Sequence, residues 1–385
     1  MDSLSLTNAY NAAVRASGPF GHVVIAPGRI YGTGTFSRVD IPIAEELPLE
    51  QSIIVGLPRV PRVLPVSGQL VYSEGKLMVK LRDREQLADF SRVAQVRISD
   101  EVPLPLSVED VLDESVGPAW VQIVDVKTLA NVMVAVDENF AYAPWAMVGA
   151  DRHGNLVGTQ GSRLAAYQPD SSIWPEMKDP AWIPRNVLSL AKRMNVREIR
   201  VEKHSGYAEI AVGGATVTVT NDEFWSLDRL PLNIKQFIEK SGGMRSRHVL
   251  SNDEIAFINY ASEVTRSAAK TLDEDSQHLL GTHLVFRNGQ LGLISPELQI
   301  EKWIDSDCQG LGLRRFHFDP RQLKLGASQK IFGSEAYTVS FLNEGGTVLE
   351  KHRGSSSYRF IPEGWHMRLE LQQEPEQGRG MKLGF

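Results

Sequence analysis

Apolar and polar positions along the chain follow two different periods, which succeed one another in the same order three times. Each round opens with apolar residues at every third or fourth position, a spacing that predicts a helix. Runs with every second residue apolar follow and predict strands. A second helix-like segment led by Pro or Asp comes next, and further alternating runs close the round. This order predicts three copies of one α+β unit, although alternating helices and strands are also common in proteins without repeats.

The middle copy shows the pattern most clearly. Its first predicted helix covers 125–140, where the residues at helical spacing are Leu129, Val132, Met133 and Val136. A His-Gly-Asn turn at 153–155 then joins two strands. The second helix is predicted over 183–195, with Pro184 near its first turn, where a missing N–H costs little.

Short turns divide the end of the middle copy into three strands. The predicted turns are Ser205-Gly206 and Gly213-Gly214. The third copy repeats the order with a helix over 252–272, which Asn252 or Asp253 is expected to cap. Its hairpin turn is predicted at Asn288-Gly289.

A second helix of the third copy is predicted over 319–333, capped by Asp319. The first copy departs most from the common pattern. It has a short helix over 5–17 and a hairpin turn at Glu74-Gly75, but its second helix position, 57–66, contains three prolines. Proline inside a helix costs about 3 kcal/mol, so we expect this segment to be short, kinked or partly non-helical.

Basic residues collect at the second helix of each copy. The segments 57–66, 184–195 and 319–332 carry net charges of +2, +3 and +2, against −6 for the whole chain, so the remainder carries −13. Solvated helix faces often carry Lys and Arg, but three equivalent basic helices in an acidic chain favour contact with phosphates. Including the first helices, the candidate DNA-binding residues are Arg15, Arg59, Arg62, Lys127, Arg185, Lys192, Arg193, Arg266, Lys270, Arg321, Lys324 and Lys330.

Composition argues for a globular protein without catalytic motifs. The chain has 385 residues, 42% hydrophobic and 23% charged, and no apolar run approaches the roughly 20 residues of a membrane span. No secretory signal is visible, and a single cysteine, Cys308, fits a reducing, cytoplasmic setting. The sequence has no phosphate-binding loop, GxSxG elbow or paired metal-ligand spacing, so we expect no cofactor, no metal and no enzymatic activity. The Asp305-Ser306-Asp307 stretch beside Cys308 is interpreted as a solvated turn.

One stretch of the middle copy resembles the bacterial polymerase III β-type sliding clamp. Residues 158–165 read Gly-Thr-Gln-Gly-Ser-Arg-Leu-Ala, where the family has Ala-Thr-Asp-Gly-His-Arg-Leu-Ala. The element order is similar to the family's over essentially the whole chain. The family's fold implies three clamp domains over 1–117, 118–250 and 251–369, with helices lining a central hole and antiparallel sheets outside. Residues 370–385 are expected to form a flexible tail.

The resemblance also implies a pocket that binds short peptides of polymerases and clamp loaders. Carried over by position, its residues are Thr159, Gly161, Arg163, Leu164, Pro231, Met367, Arg368 and Leu369. The sequence departs from the family at Gln160 and Ser162, which leaves partner preference open. Apolar walls would come from Leu164, Pro231, Met367 and Leu369, as peptide pockets require.

The resemblance therefore implies a processivity factor, a homodimeric ring that encircles duplex DNA without reading its sequence and does not bind membranes. Divergence from the family favours a phage or plasmid origin. A regulatory protein of replication or transcription with the same fold but no closed ring is the alternative, and a β-rich enzyme with an unrecognised site is a more distant one. Mass in solution separates the first two.

Overall fold

The computed structural model describes the chain in segments. These are residues 3–17, 21–34, 37–49, 52–56, 64, 68–81, 87–93, 97–99, 117–136, 147–159, 164–170, 179–220, 244–269, 271, 282–287, 289–296, 298–308, 314–318, 337–342, 347–353 and 356–361. They group into two compact units. The first comprises Met1–Met133, Glu138–Leu156 and Glu176–Leu227, and the second comprises Val134–Asp137, Val157–Pro175 and Asp228–Phe385.

Helices and strands alternate along the described residues. Up to residue 100 the elements are α1 (Leu6–Ser17), β1 (His22–Ala26), β2 (Arg29–Thr33), β3 (Ser37–Pro42), β4 (Ile53–Gly56), β5 (Gly68–Ser73), β6 (Lys76–Leu81), β7 (Leu87–Asp89), α2 (Phe90–Val93) and β8 (Arg97–Ser99). From 117 to 220 they are β9 (Trp120–Asp125), α3 (Val126–Val132), a 3-10 turn (Met133–Ala135), β10 (Met147–Ala150), β11 (Leu156–Thr159), β12 (Leu164–Gln168), β13 (Ala181–Pro184), α4 (Asn186–Met194), β14 (Glu198–Lys203), β15 (Tyr207–Val212) and β16 (Ala215–Thr220). From 244 they are β17 (Met244–Val249), α5 (Asn252–Ala269), β18 (Thr282–Arg287), β19 (Gln290–Ser295), β20 (Ile300–Asp305), β21 (Arg314–Phe318), β22 (Tyr337–Leu342), β23 (Thr347–Arg353) and β24 (Ser356–Ile361).

A nine-stranded sheet forms the body of the first unit. Its order is β8-β4-β1-β2-β3-β16-β15-β14-β9. Strands of the first predicted copy join strands of the middle copy where β3 pairs with β16, with Val39 opposite Val217. Helix α1 packs on β2 and β3, α4 packs on β15, and the two helices contact each other. Because helices on opposite faces of a sheet cannot touch, α1 and α4 lie on the same face.

A small sheet of β5, β6 and β7 also belongs to the first unit. Two side chains of α1 bind the backbone at and just before β5. Asn11 Oδ1 accepts from the N–H of Leu64, and Thr7 Oγ1 accepts from that of Leu70, both at 2.8 Å. Tyr10 of α1 meets Phe90 of α2 edge to face, with ring centroids 5.2 Å apart. Both rings are fully buried.

The second unit contains two antiparallel arrangements. One is the sheet β21-β18-β19-β20, and the other runs in the order β12-β24-β23-β22-β17. Helix α5 contributes Phe257, Ile258 and Ala261 to a core completed by strands β18 and β19. Cys308 is buried in the same core.

Strand order recurs along the chain. The four strands after α1 lie in the order fourth, first, second, third, and the four strands after α5 lie in the same order. In the middle copy the fourth such strand, β13, likewise pairs with the first, β10. In two copies, the strand that precedes the first helix pairs with the first of the three strands that end the copy. These pairs are β9 with β14 and β17 with β22. One supersecondary plan is therefore repeated.

Predicted hairpin turns are confirmed where the structure describes them. Gly75, Gly206, Gly213 and Gly289 adopt positive φ values between strands that pair as predicted. Glu74 also has a positive φ of 52°. The turn at 153–155 is held by Asp151, whose carboxylate accepts from the N–H groups of His153 and Asn155 at 2.9 and 3.0 Å.

Three helix predictions need correction. Helix α3 ends at Val132 and a 3-10 turn continues to Ala135. Within the described residues, the helix predicted over 125–140 is therefore shorter than expected. Pro184 ends strand β13, and α4 starts after it at Asn186. Neither Asn252 nor Asp253 caps α5, because both lie inside its first turn.

Ser251 caps α5 instead. Its Oγ accepts from the N–H of Glu254 at 3.2 Å, and the Glu254 carboxylate accepts from the N–H of Ser251 at 2.7 Å. This reciprocal pair is a capping box. The predicted helix 319–333, the tail 370–385 and most of 57–66 lie outside the described residues.

Candidate functional site

One face of α4 carries the basic residues of the middle copy. Val187, Leu190 and Met194 are buried toward the sheet. Arg185, just before the helix, lies on the opposite face from these residues together with Lys192 and Arg193, because positions seven and eight residues on return to the same side. Lys192 is exposed, and both arginines are half-buried.

Contact between α1 and α4 brings a second basic residue to this face. Arg193 Nη1 donates to Oδ1 of Asn8 at 2.8 Å. Asn8 and Arg15 are both exposed and lie two turns apart on α1. Burial, and next the charge of Arg15, lower the pKa of Arg193, which as an arginine stays cationic. The two guanidinium groups therefore repel each other, and an anion between them would relieve that repulsion.

Acidic residues are missing from the helices of this face. The sequences of α1, α3 and α4 contain no Asp or Glu. Asp125 caps α3, and its carboxylate accepts from the N–H of Thr128 at 2.7 Å. Lys127 in the first turn of α3 is exposed, and α3 packs against α4. We call the surface formed by Arg15, Lys127, Arg185, Lys192 and Arg193 the basic helix face.

The remaining candidates for DNA contact are not placed. Arg266 lies within α5 without a described side chain. The others, which fall outside the described residues, are Arg59, Arg62, Lys270, Arg321, Lys324 and Lys330. Asn8 was missed by sequence analysis because an uncharged amide gives no signal by itself. Its place two turns from Arg15 on one helix face is the signal that could have found it.

Two residues predicted for the peptide pocket lie at strand ends in the second unit. Thr159 ends β11 and Leu164 begins β12. Leu164 pairs with Ile361, the last residue of β24. The other pocket residues, outside the described segments, are Gly161, Arg163, Pro231, Met367, Arg368 and Leu369.

A buried polar cluster in the second unit was missed by sequence analysis. Glu254 is fully buried, and its carboxylate contacts Nε2 of His248 at 2.9 and 3.0 Å and the hydroxyl of Ser306. Ser306 is thus tied to α5 and is not simply part of a solvated turn, whereas Asp305 and Asp307 are exposed as expected.

Hydrogen bonds within this cluster stabilise the charged form of Glu254. Burial raises the pKa of Glu254, but hydrogen bonds from Ser306, the Ser251 N–H and His248 outweigh it and leave the pKa below its ordinary 4.5. Burial, with the charge of Glu254, raises the pKa of the Cys308 thiol to about 12. A thiol with that pKa stays protonated at neutral pH and is not an activated nucleophile. The arrangement ties together the end of β17, the start of α5 and the residues after β20.

Within the described segments, no helix is long and apolar enough to cross a membrane.

Comparison with known proteins gives matches at the level of structure. No family model matches the sequence, and the search of curated proteins found no match. The DNA polymerase III β subunit of Thermotoga maritima matches with a TM-score of 0.55 at 14% identity, covering 93% of this chain and 96% of that one. The DNA polymerase III subunit β of Pseudomonas aeruginosa matches with a TM-score of 0.52 at 17% identity, covering 93% and 97%. Caulobacter crescentus pol III β matches with a TM-score of 0.53 at 14% identity, covering 92% and 98%. The chain therefore has the fold of the bacterial DNA polymerase III β sliding clamps.

Proposed function

We propose that this protein is a sliding clamp, a non-enzymatic processivity factor that encircles duplex DNA and tethers a polymerase to it. The observation that carries the proposal is the basic helix face in a chain with the clamp fold. Arg15 and Arg193 face each other across two helices that contain no acidic residue. The rest of the chain is acidic, so attraction to phosphate is confined to selected elements.

The chemistry of this face suits movement along DNA. Lys and Arg attract backbone phosphates without reading bases. Lys192 and Arg15 are exposed and carry long flexible side chains, so their contacts can exchange from one phosphate to the next. Tight base contacts would stop sliding, and we propose that the helices cross the grooves without entering them.

Strand pairing supports closure of two chains into a ring. In two places the third strand after a first helix pairs with the last strand of the following copy, β3 with β16 and β12 with β24. The equivalent strand of the third copy, β20, ends its sheet among the described strands. So does β7, the third strand of the small sheet β5-β6-β7 of the first copy. We propose that β20 of one chain pairs with β7 of a second chain, and that the reciprocal pairing closes a homodimer.

The repeated strand order supports three clamp domains, which we propose over the predicted bounds 1–117, 118–250 and 251–369 except for the start of the third. Strand β17 pairs with β22 and thus follows the plan of the third copy. On this basis we place the start of the third domain ahead of Met244.

We also propose that polymerase and clamp-loader peptides bind beside Thr159 and Leu164. Because Leu164 pairs with Ile361, strand β24 ends next to the beginning of β12. We propose that the C-terminal segment continues from there along the pocket. Met367 and Leu369 on that segment would then close the pocket opposite Leu164.

Retention on circular DNA tests the proposal. The chain, loaded on a nicked circular duplex, should stay bound through gel filtration at moderate salt and be released when the circle is cut. Topological linkage predicts this difference, whereas phosphate attraction alone predicts equal release from both forms. In solution the chain should have the mass of a dimer. A strict monomer that leaves circular DNA as fast as linear DNA would refute the clamp and favour the regulator without a closed ring.

Charge reversal on the basic helix face provides the residue-level test. The variant Arg185→Glu, Lys192→Glu, Arg193→Glu should lose loading on circles while remaining folded. A control with the same change in net charge reverses exposed residues elsewhere, Lys76, Lys80 and Arg287. The control should load like the natural chain, and equal loading by both variants would contradict the assignment of this face.

A further inference from the structure

Two glutamates and a histidine meet at one end of the β14–β15 hairpin. Glu202 and Glu209 are directly opposite each other across the two strands. His204 stands two residues after Glu202, so both side chains emerge on the same face of the sheet. The residues that alternate with Glu202 and His204, namely Ile199, Val201 and Lys203, are buried, and the face with the two glutamates and the histidine is therefore the one turned away from the sheet's core.

Ligand atoms of the three side chains converge. One imidazole nitrogen and one carboxylate oxygen from each glutamate lie within 4.8 Å of one another. His204 Nε2 is 3.8 Å from Oε2 of Glu202. This separation is too long for a hydrogen bond. Two ligands bound to one zinc ion at 2.0–2.1 Å lie about 3.3 Å apart in a tetrahedral site and about 4 Å apart at most, so Nε2 and Oε2 can share an ion after closing by about 0.5 Å.

The imidazole of His204 is buried without a hydrogen-bond partner among the described residues. Neither Nδ1 nor Nε2 has a partner in the part of the chain that the structure describes. The side chain is 11% exposed. Buried polar atoms are almost always satisfied, and an unpaired one commonly marks an absent ion or water. This observation is independent of the two carboxylates and points toward them.

Neighbouring groups fix the ligands in place. The His204 ring stacks on Tyr207, with centroids 4.4 Å apart and planes 2° from parallel. Arg200 Nε binds Oε1 of Glu202 at 2.9 Å and leaves Oε2 turned to His204. Outer groups of this kind orient the ligands of metal sites in proteins.

Charge also favours a cation here. Like charges directly opposite on paired strands destabilise a sheet. Arg200 compensates one carboxylate, and both glutamates are at most partly exposed to water. A divalent ion would neutralise the second carboxylate and satisfy the imidazole.

We propose that Glu202, His204 and Glu209 bind one divalent transition-metal ion, with zinc the best match. One imidazole and two carboxylates form a set that suits zinc and neighbouring metals, whereas Mg²⁺ prefers oxygen ligands alone. Three protein ligands leave a coordination position for water or an outside ligand. The site clips the β14–β15 hairpin on the face away from α4 and does not depend on the clamp proposal.

Isothermal titration with ZnCl₂ on the full chain tests the site. The natural chain should bind one more equivalent of Zn²⁺ than Glu209→Gln or His204→Ala, or bind it at least about tenfold more tightly. Mg²⁺ at the same concentration should give no comparable signal.

Matched controls separate this site from other histidines and carboxylates. Glu198→Gln removes a carboxylate from the same face of β14, and His153→Ala removes an exposed histidine. Both should bind Zn²⁺ like the natural chain. Glu209→Gln keeps the side-chain shape, so it reports on the metal even if His204→Ala fails to fold. Equal Zn²⁺ binding by Glu209→Gln and the natural chain, or no saturable binding at all, overturns the proposal.

Discussion

Replacing Glu254 with Gln should loosen the second unit, because this carboxylate joins three parts of it. Glu254 contacts His248 at the end of β17, the backbone of Ser251 at the start of α5 and Ser306 after β20. Gln has the same shape but only one acceptor oxygen. At least one of the charge-assisted hydrogen bonds must then be lost or replaced by a neutral one.

The size of the effect follows from those contacts. A hydrogen bond to a charged group contributes about 1.5–3 kcal/mol, and His248, Ser251 and Ser306 all bond to this carboxylate. Because Gln keeps one acceptor, we expect only part of this to be lost, about 3 kcal/mol. That is roughly a 150-fold increase in the local opening equilibrium.

Hydrogen exchange of the α5 amides, followed by mass spectrometry, measures this loss in the unit concerned. Asp253→Asn, which removes an exposed carboxylate from the neighbouring position, should change exchange by less than about fivefold. A Glu254→Gln variant whose α5 exchanges no faster than that of Asp253→Asn would refute the structural role of the cluster.

Acid should remove the difference between the natural chain and Glu254→Gln. The folded-state pKa of Glu254 is lowered, so between that value and 4.5 the unfolded chain binds more protons than the folded one. The stabilisation is therefore complete above about pH 4.5 and is lost as pH falls through the folded-state pKa. A gap in stability that stays constant down to pH 2.5 would contradict this assignment.

Further predictions concern single residues of both units. Ser251→Ala should destabilise α5 by about 1 kcal/mol in urea unfolding, while Asn252→Ala should cost little, since Ser251 and not Asn252 caps the helix. Tyr10→Phe should leave stability unchanged or raise it by up to about 1 kcal/mol, because the buried hydroxyl has no partner in the described part of the chain; a loss above 1 kcal/mol would show a hidden hydrogen bond. Arg15→Gln with Lys192→Gln should reduce the slope of log K against log salt on duplex DNA by about 1.8, as each phosphate contact contributes about 0.9; an unchanged slope in anisotropy titrations would mean that neither residue contacts phosphate.

Local signals in the sequence predicted the hairpins well. Gly206 and Gly213 take positive φ values that favour glycine, and alternation of apolar residues sets which face of each strand is buried. The helices α1 and α4 were also predicted, because their apolar stripes have helical spacing. Their basic residues lie on the face opposite the core for the same reason.

Helix ends and long-range contacts were harder to predict. Ser251, Asn252 and Asp253 are all good capping residues, and only the reciprocal bond from Glu254 decides between them. The sequence around Glu202 and His204 does not show that Glu209 lies opposite Glu202, since that depends on the register of the hairpin. The bond of Arg193 to Asn8 joins residues too far apart in the chain for any local pattern to reveal.

The pairing of β3 with β16 has a consequence for how the protein is synthesised. Val39 of β3 pairs with Val217 of β16, which is synthesised roughly 180 residues later. Strand β3 therefore has no partner on this edge until those residues have left the ribosome. At about 5–20 residues per second this interval lasts roughly 10–35 s. An open strand edge is a template for pairing with other chains during that time. We therefore expect the yield of soluble protein to depend on translation rate and chaperone supply more steeply than the stability of the finished fold alone would indicate.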